Sequence, residues 1–182
     1  VGHTGCFHVL VSYLPLTLRL RYARTPWVVC QRGLDGVSTL EITTERLLLR
    51  EFLPDDWRAV LAYHQDARYS EYYPWSDRTE SDAKGFVQWF LDEQAESSRR
   101  RIQLAVILRE TGLLIGNCGI RLKPGSDRKA DIGYEISPGY WRHGYATEAA
   151  ASLVEHGFTS MGLHRISSWC IAVNGASDSV LR

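Results

Sequence analysis

Residues 141–149, with the sequence WRHGYATEA, lie between a segment with the pattern of a strand and a segment with the pattern of a helix. Upstream, residues 130–136 alternate polar and apolar side chains, which is typical of a strand. Downstream, apolar residues recur every three or four positions from residue 146 to residue 158, which predicts an amphipathic helix. Gly144 lets the backbone turn sharply between them. A helix start carries unpaired N–H groups and partial positive charge, so we predict a phosphate or pyrophosphate site here, with Arg142 as an added cation.

A glycine turn before a helix is a weak signal by itself, and this turn lacks both the GxxxxGK[ST] of a P-loop and the GxGxxG of a dinucleotide fold. The longer string GYEISPGYWRHGYATEA, residues 133–149, resembles the acetyl-CoA-binding turn of the GNAT superfamily of N-acetyltransferases. The resemblance is strongest to the RimJ/RimL-like branch, which acetylates the N-termini of ribosomal proteins. The superfamily pattern [QR]-x-x-G-x-[GA] falls on residues 141–146. Trp141 stands where Gln or Arg is usual, and tryptophan is common there in the branch just named.

Two further strings resemble the same family in the same order. TERLLLR, residues 44–50, is similar to the TERLxLR string that opens the family's domains, and NGAS, residues 174–177, resembles the N-x-x-S opening of the final helix. The resemblance covers residues 40–182 and implies the α/β (α+β) acyltransferase fold, a central mixed and mostly antiparallel sheet flanked by helices. Relatives continue into two more strands after the final helix. The resemblance therefore implies a chain truncated at its C-terminus, with the last strands of the sheet missing.

Hydrophobic periodicity predicts the other elements of this domain. From residue 40 the predicted order is β-α-α-β-β-β-α-β, with a strand at residues 44–52, a helix after Pro54, a helix capped by Thr79 and Asp82, a hairpin of residues 103–108 and 113–122, and a strand at residues 164–173. Gly116 and Gly119 interrupt the second strand of the hairpin, which predicts a bulge or a close approach of two backbones.

Residues 1–39 form a separate N-terminal extension in this interpretation. They carry four Arg and one Asp and no Lys. Residues 14–22 alternate at period 2, residues 27–30 predict a short strand, and residues 33–38 predict a linker. We expect residues 14–22 to pair with the strand edge near residues 166–173 that the truncation leaves open. An extension without ordered structure, or a homodimer that covers the same edge, are the alternatives.

Composition excludes several classes of protein. The formal net charge is zero, which does not favour nucleic-acid binding. The four cysteines are scattered and form no CxxC or Cys/His cluster, so neither a zinc site nor a disulfide framework is predicted and a reducing cytoplasm fits best. No apolar run reaches the roughly 18 to 20 residues of a membrane span.

The resemblance implies direct transfer of an acetyl group from acetyl-CoA to a primary amine, either a protein N-terminus or a small-molecule amine. The amine must lose a proton, and Glu135 is the candidate base; a surface acid is the alternative. Backbone N–H groups around Ile136 are candidates to stabilise the oxyanion. Ser177 is the candidate proton donor to the leaving thiolate, or else an ordinary serine of a helix start. No metal is required, because the thioester is already activated.

The binding residues follow from the same resemblance. The donor site consists of Ile136 and the turn residues Arg142, His143, Gly144, Tyr145, Ala146 and Thr147, and Asn174 bonds the pantetheine chain. An aromatic loop at residues 69–77 contributes Tyr72, Tyr73 and Trp75 as a wall of the acceptor pocket, although these rings can equally pin the loop to the core. The alternative function is a non-catalytic CoA-binding or interaction module, a degenerate or truncated relative.

Overall fold

The computed structural model describes residues 6–12, 27–32, 38–72, 77–171 and 173–181. Within these ranges eight strands form one sheet in the order β1-β8-β7-β6-β5-β4-β3-β2. They are β1 (Cys6–Ser12), β2 (Trp27–Arg32), β3 (Ser38–Thr43), β4 (Leu47–Glu51), β5 (Arg101–Leu108), β6 (Leu113–Leu122), β7 (Lys129–Ile136) and β8 (Arg165–Ile171). Neighbouring strands are antiparallel except β7 and β8, which are parallel. The predicted mixed, mostly antiparallel sheet flanked by helices is confirmed.

Helices cover both faces of this sheet. The bounds of the helices are α1 (Trp57–His64), α2 (Ala67–Ser70), α3 (Glu80–Ala95), α4 (Tyr145–Thr159) and α5 (Gly175–Leu181). Side chains of β5 alternate between two hydrophobic clusters: Leu104 packs in the cluster that contains Leu153 of α4, and Ala105 in the cluster that contains Val60 of α1 and Phe90 of α3. Since successive side chains of a strand point to opposite faces, α1 and α3 lie on one face and α4 on the other.

The start of α3 matches its sequence signature. Thr79 Oγ1 accepts a hydrogen bond from the Asp82 amide at 3.2 Å, and the Asp82 carboxylate accepts one from the Thr79 amide at 2.8 Å. Two N–H groups at the helix start are satisfied in this way. The predicted capping box is confirmed.

The predicted hairpin of β5 and β6 is also confirmed, and different contacts explain why Gly116 and Gly119 are glycines. The pairing register shifts between Val106 and Ile107, opposite the segment that contains Gly116. A Cβ atom on Gly116 would lie 2.1 Å from the backbone oxygen of Glu135, and one on Gly119 would lie 2.0 Å from Oε1 of Gln103. The strand therefore contains both a bulge and a close approach of backbones, as predicted.

The strand predicted at residues 44–52 is confirmed over residues 47–51, as β4, but residues 44–46 do not belong to it. β3 ends at Thr43 and β4 begins at Leu47, with a turn between them in which the Thr44 amide donates to the Leu47 carbonyl at 2.9 Å. The side chains of Thr44 and Arg46 leave the strand direction to bind Glu148 of α4. β3 also begins at residue 38, across the boundary that the sequence suggested between residues 39 and 40.

A strand of the N-terminal extension does cover the outer edge of β8, but it is not the predicted one. β1 pairs with β8 from Cys6↔Ile171 to Ser12↔Arg165. Residues 14–22, which we expected there, lie outside the described residues. Alternation predicts a strand but not the strand with which it pairs. The pattern therefore could not show which part of residues 1–39 pairs with β8. The predicted short strand at residues 27–30 is confirmed as β2, which pairs with β3.

Candidate active site

The turn before α4 has the backbone of an anion-binding loop. Gly144 precedes the helix with φ of 79°, and Arg142 has φ of 63°, so two of three successive residues adopt the left-handed conformation. No side chain among the described residues caps α4. The first N–H groups of a helix have no acceptor within the helix, so the amides of Tyr145, Ala146 and Thr147 point out of its start.

Trp141 ties this turn to the end of β7. Its indole Nε1 donates to the carbonyl of Ile136 at 2.6 Å, and its own carbonyl lies 2.7 Å from Nδ1 of His143. The ring of His143 stacks on that of Tyr145, with centroids 5.6 Å apart, and the ring of Tyr72 lies 6.0 Å from that of Trp141. Trp141, which departs from the superfamily pattern, thus connects the turn to the end of β7 and stabilises it.

A second connection, which we call the clamp, joins the β3–β4 turn to the first turn of α4 through Thr44, Arg46 and Glu148. Thr44 Oγ1 donates to the Glu148 carboxylate at 2.6 Å, the Arg46 amide donates to it at 2.9 Å and Arg46 Nε at 2.7 Å. Arg46 also donates to the carbonyl of His143 at 2.9 Å. Burial raises the pKa of Glu148, but these hydrogen bonds and the charge of Arg46 outweigh it and hold the pKa below the ordinary value. The positive charge of Arg46 offsets that of the Glu148 carboxylate, so the pair adds little net negative charge at the helix start.

β7 and β8 separate next to this turn. Their pairing extends from Lys129↔Arg165 to Asp131↔Ser167 in the described strands, and the side chain of Ser168 then reaches the carbonyl of Ile132 at 2.9 Å. We call the gap between residues 132–136 and residues 168–171 the notch. Ile136, whose backbone N–H group is the candidate to stabilise the oxyanion, lies at this gap at the end of β7.

Glu135 lies at the notch on the face of the sheet that α1 covers. Three polar groups converge on its Oε2 atom: Asn117 Nδ2 at 3.0 Å, the Tyr63 hydroxyl at 3.3 Å and His64 Nε2 at 3.4 Å. The side chain of Glu135 is 17% exposed, whereas that of His64 is 1% exposed. The carboxylate is thus held in a polar pocket that solvent can still reach.

The opposite face of the notch carries Ser177 and Tyr134. The Tyr134 hydroxyl donates to the Ser177 carbonyl at 3.1 Å and lies 2.9 Å from Ser177 Oγ. Burial raises the pKa of Tyr134 to about 12, although the hydrogen bond with Ser177 opposes this rise, so the hydroxyl keeps its proton at neutral pH. The side-chain Oδ1 atom of Asn174 accepts a hydrogen bond from the Ser177 amide at 3.0 Å and so caps the start of α5.

The structure therefore brings together most of the predicted site residues that it describes, and Tyr73 and Trp75 lie outside those residues. The predicted aromatic loop is shorter than expected, because Asp66 caps α2 through the Arg68 amide at 3.0 Å and residue 69 belongs to that helix. Sequence reasoning missed Tyr63, Asn117, Tyr134 and both ends of the clamp. The sequence did contain a signal for the clamp, since all three of its residues lie in strings that resemble the family. Thr44 and Arg46 lie in TERLLLR, and Glu148 lies in ATEA at the end of the string of residues 133–149.

Two absences concern the described part of the chain alone. No group of three or more His, Cys, Asp or Glu side chains is placed there to hold a metal ion. None of its helices is long and apolar enough to cross a membrane.

A mostly antiparallel sheet in which two parallel strands, β7 and β8, separate beside a helix start is typical of an acyltransferase fold. Comparison with known proteins agrees with this assignment. The acetyltransferase (GNAT) domain family matches residues 46–182, and the chain belongs to this family. It is 39% identical over 143 residues to an uncharacterised N-acetyltransferase, YnaD, of Bacillus subtilis strain 168, covering 79% of this chain and 80% of that protein.

Solved structures show the same fold. A GNAT-family acetyltransferase from Bacillus anthracis is 33% identical, with a TM-score of 0.67, and the match covers 78% of this chain and 80% of that one. The ribosomal-protein-S5-alanine acetyltransferase from Vibrio fischeri is 17% identical, with a TM-score of 0.65 and coverage of 78% and 79%. At that identity the second likeness concerns the fold alone.

Proposed function

We propose that this protein transfers an acetyl group from acetyl-CoA directly to a primary amine, either a protein N-terminus or a small-molecule amine. GNAT acetyltransferases use acetyl-CoA as their acetyl donor. The observation that carries the proposal is the placement of a carboxylate and a hydroxyl, Glu135 and Ser177, on opposite faces of the sheet at the notch. An acyl transfer needs a base on the side of the amine and an acid on the side of the leaving group.

The residues present fit the donor. The turn at Gly144 offers uncapped helix amides to a pyrophosphate, and the notch offers the backbone of residues 132–136 to an extended chain. Bound acetyl-CoA supplies an activated thioester carbonyl. We assign the amide of Ile136, at the end of β7, to stabilise negative charge on that carbonyl oxygen.

The chain's own groups then account for the protons. Glu135 takes one proton from the acceptor ammonium, directly or through water, and the neutral amine then attacks the thioester carbonyl as the C=O π pair moves to oxygen. When the C–S bond breaks, Ser177 donates its hydroxyl proton to the thiolate and recovers one from Tyr134, which lies 2.9 Å away. The nitrogen loses its second surplus proton to solvent as the intermediate collapses, so the products are an amide and CoA with a free thiol. The proton on Glu135 also passes to solvent, and solvent restores the proton of Tyr134, so that one proton is released overall.

A carboxylate held by three polar groups supports the catalytic alternative over a module that only binds CoA, because binding alone uses no base on this face. The acceptor is proposed at the level of a primary amine. The Vibrio fischeri enzyme carries a ribosomal-protein name, but its likeness to this chain is one of fold, so a ribosomal N-terminus is one member of the panel to be tested.

The test combines binding with turnover. Calorimetric titration of the chain with acetyl-CoA should show saturable binding, and a thiol-release assay over a panel of N-terminal peptides, polyamines and aminoglycosides should show transfer to at least one amine. Glu135→Gln should lower the maximal rate by about 100-fold while acetyl-CoA binding is unchanged. Gly144→Asp should abolish binding, because it places a carboxylate on a left-handed residue at the pyrophosphate site.

The matched control is Glu96→Gln, the same change at an exposed residue after α3, which should alter neither quantity. Acetyl-CoA binding without transfer to any amine of the panel would favour the non-catalytic module. Unchanged turnover in Glu135→Gln would remove this residue as the base.

A further inference from the structure

We propose that Tyr63 and Asn117 are positioning residues that hold the Oε2 atom of Glu135 so that Oε1 takes the proton of the acceptor amine. This inference rests on the proposed function. It adds an assignment of the two carboxylate oxygens to separate tasks.

The contacts of Glu135 are one-sided. Asn117 Nδ2 lies 3.0 Å from Oε2, the Tyr63 hydroxyl lies 3.3 Å from the same atom, and the Tyr63 hydroxyl accepts from Asn117 Nδ2 at 3.1 Å. Among the described residues no hydrogen bond to Oε1 accompanies these. Tyr63 is 3% exposed and Asn117 is 2% exposed, so both groups act from inside the protein on a carboxylate that is more exposed than they are.

Asn117 is itself held from the other side. Its Oδ1 atom accepts from Gln103 Nε2 at 2.6 Å, which leaves the amide nitrogen directed at Glu135 and Tyr63. Gln103 occupies the space beside Gly119, where a Cβ atom would lie 2.0 Å from Gln103 Oε1. The chain from Gln103 through Asn117 to Glu135 crosses β5, β6 and β7, and cross-strand pairing of Asn117 with Glu135 places the last two side chains together.

Such a buried polar chain is costly to fold unless every member is paired, and a fully paired one fixes its side chains. A carboxylate fixed through one oxygen cannot rotate to present the other oxygen differently, so Oε1 has one direction toward the notch. Proton transfer depends steeply on such placement, because a base must lie within hydrogen-bond reach of the proton that it removes.

One N–H bond of the acceptor ammonium breaks, one O–H bond forms at Oε1, and the electron pair left on nitrogen forms the C–N bond while the C=O π pair of the thioester moves to its oxygen. The second surplus proton on nitrogen passes to solvent when the C–S bond breaks. The donors at Oε2 keep their protons throughout. Their role is to stabilise and orient the carboxylate before the proton arrives.

The test is a double-mutant cycle between Tyr63 and Glu135. Tyr63→Phe should lower kcat by roughly tenfold, the loss expected for one hydrogen bond to a charged group, while the KM for the amine and acetyl-CoA binding stay unchanged. In the Glu135→Gln background the same substitution should have no further effect, because its action passes through the carboxylate. Asn117→Ser, which shortens the donor, should behave in the same way.

The control is Tyr69→Phe, the same change at a tyrosine that is 2% exposed and whose ring lies 5.6 Å from that of Tyr63. It should leave kcat in place, so a loss limited to Tyr63→Phe separates hydroxyl loss from disturbed packing. Equal losses in the two tyrosine variants, or an equal loss with and without the Glu135 carboxylate, would overturn the assignment. Absence of transfer by the parent chain would instead overturn the proposed function.

Discussion

At the scale of the single residue, Gly116 lies where the structure leaves no space for a side chain. Its Cα lies so close to β7 that a Cβ atom would lie 2.1 Å from the Glu135 carbonyl oxygen and 2.9 Å from the Ile136 Cα. Both neighbours are backbone atoms and cannot rotate away. Because Gly116 has no side chain, the backbone of β7 at Glu135 can lie this close to β6.

Gly116→Ala should consequently separate β6 from β7 and lower the free energy of unfolding by roughly 3 kcal/mol, the upper range for an overpacked core. Urea denaturation measures this. Gly85→Ala is the matched control, since that glycine lies in α3 and, apart from its chain neighbours and the backbone of its own helix, no atom lies within 4 Å of its Cβ position. This variant should gain up to about 1 kcal/mol from helix propensity. Equal stability of Gly116→Ala and the parent would contradict the close approach of β6 and β7.

At the scale of the secondary-structure element, the clamp decides how α4 meets the sheet. Arg46 lies in a turn and Glu148 in the first turn of a helix, and their side chains are 44% and 18% exposed. An exposed ion pair contributes little stability, but here the carboxylate also accepts from Thr44 and from the Arg46 amide. These hydrogen bonds to a charged acceptor orient the helix start at which the turn residues lie.

Glu148→Gln should lower stability by about 1 kcal/mol at pH 7, because it removes the charge from these hydrogen bonds. The folded-state pKa of Glu148 lies below its unfolded value, so its contribution is complete above the unfolded pKa of about 4.3 and is lost as pH falls through the folded pKa. The difference between parent and variant should therefore shrink in acid. Urea titrations from pH 7 to pH 3 measure it, with the exposed neighbour Glu45→Gln as control; a difference that grows in acid would contradict the sign.

Local patterns predicted the elements that depend on local chemistry. Thr79 and Asp82 predicted the start of α3, and the short connection at residues 109–112 predicted the β5–β6 hairpin. Both predictions succeeded because caps and tight turns are formed by residues that are neighbours in sequence. TERLLLR reads as one strand, since it contains no Gly or Pro, and the group that draws Thr44 and Arg46 out of the strand is about a hundred positions away. The same holds for the candidate site: Glu135 and Ser177 were found by resemblance, whereas Tyr63, Asn117 and Tyr134 meet them only through tertiary packing.

At the scale of the whole molecule, the N-terminal extension contributes the two outer strands of the sheet. β1 pairs with β8, which carries one side of the notch, and β2 pairs with β3 at the opposite edge. An uncovered edge exposes unpaired backbone groups and invites association with another chain. β1 and β2, which precede the residues that the family model matches, thus form the two outer strands of the described sheet.

The double substitution Val9→Pro with Leu10→Pro should detach β1, because one of two successive N–H groups must face β8 and proline has none. Amide hydrogen exchange should then accelerate across residues 165–171 and remain slow in β3. Val28→Pro with Val29→Pro is the reciprocal control and should accelerate exchange in β3 alone. Unchanged protection of β8 in the first variant would contradict the pairing.

The clamp has a further meaning for how the protein forms. The Arg46 amide and the Glu148 carboxylate are 102 positions apart in sequence, so their contact closes a loop that contains most of the family domain. Contacts of such separation are slow to form, because the entropy of closing the loop is lost before the contact is gained. During synthesis the β3–β4 turn leaves the ribosome long before its partner in α4. The turn that we propose binds the donor therefore acquires its geometry late in folding, and we expect a nascent chain that lacks α4 not to bind acetyl-CoA.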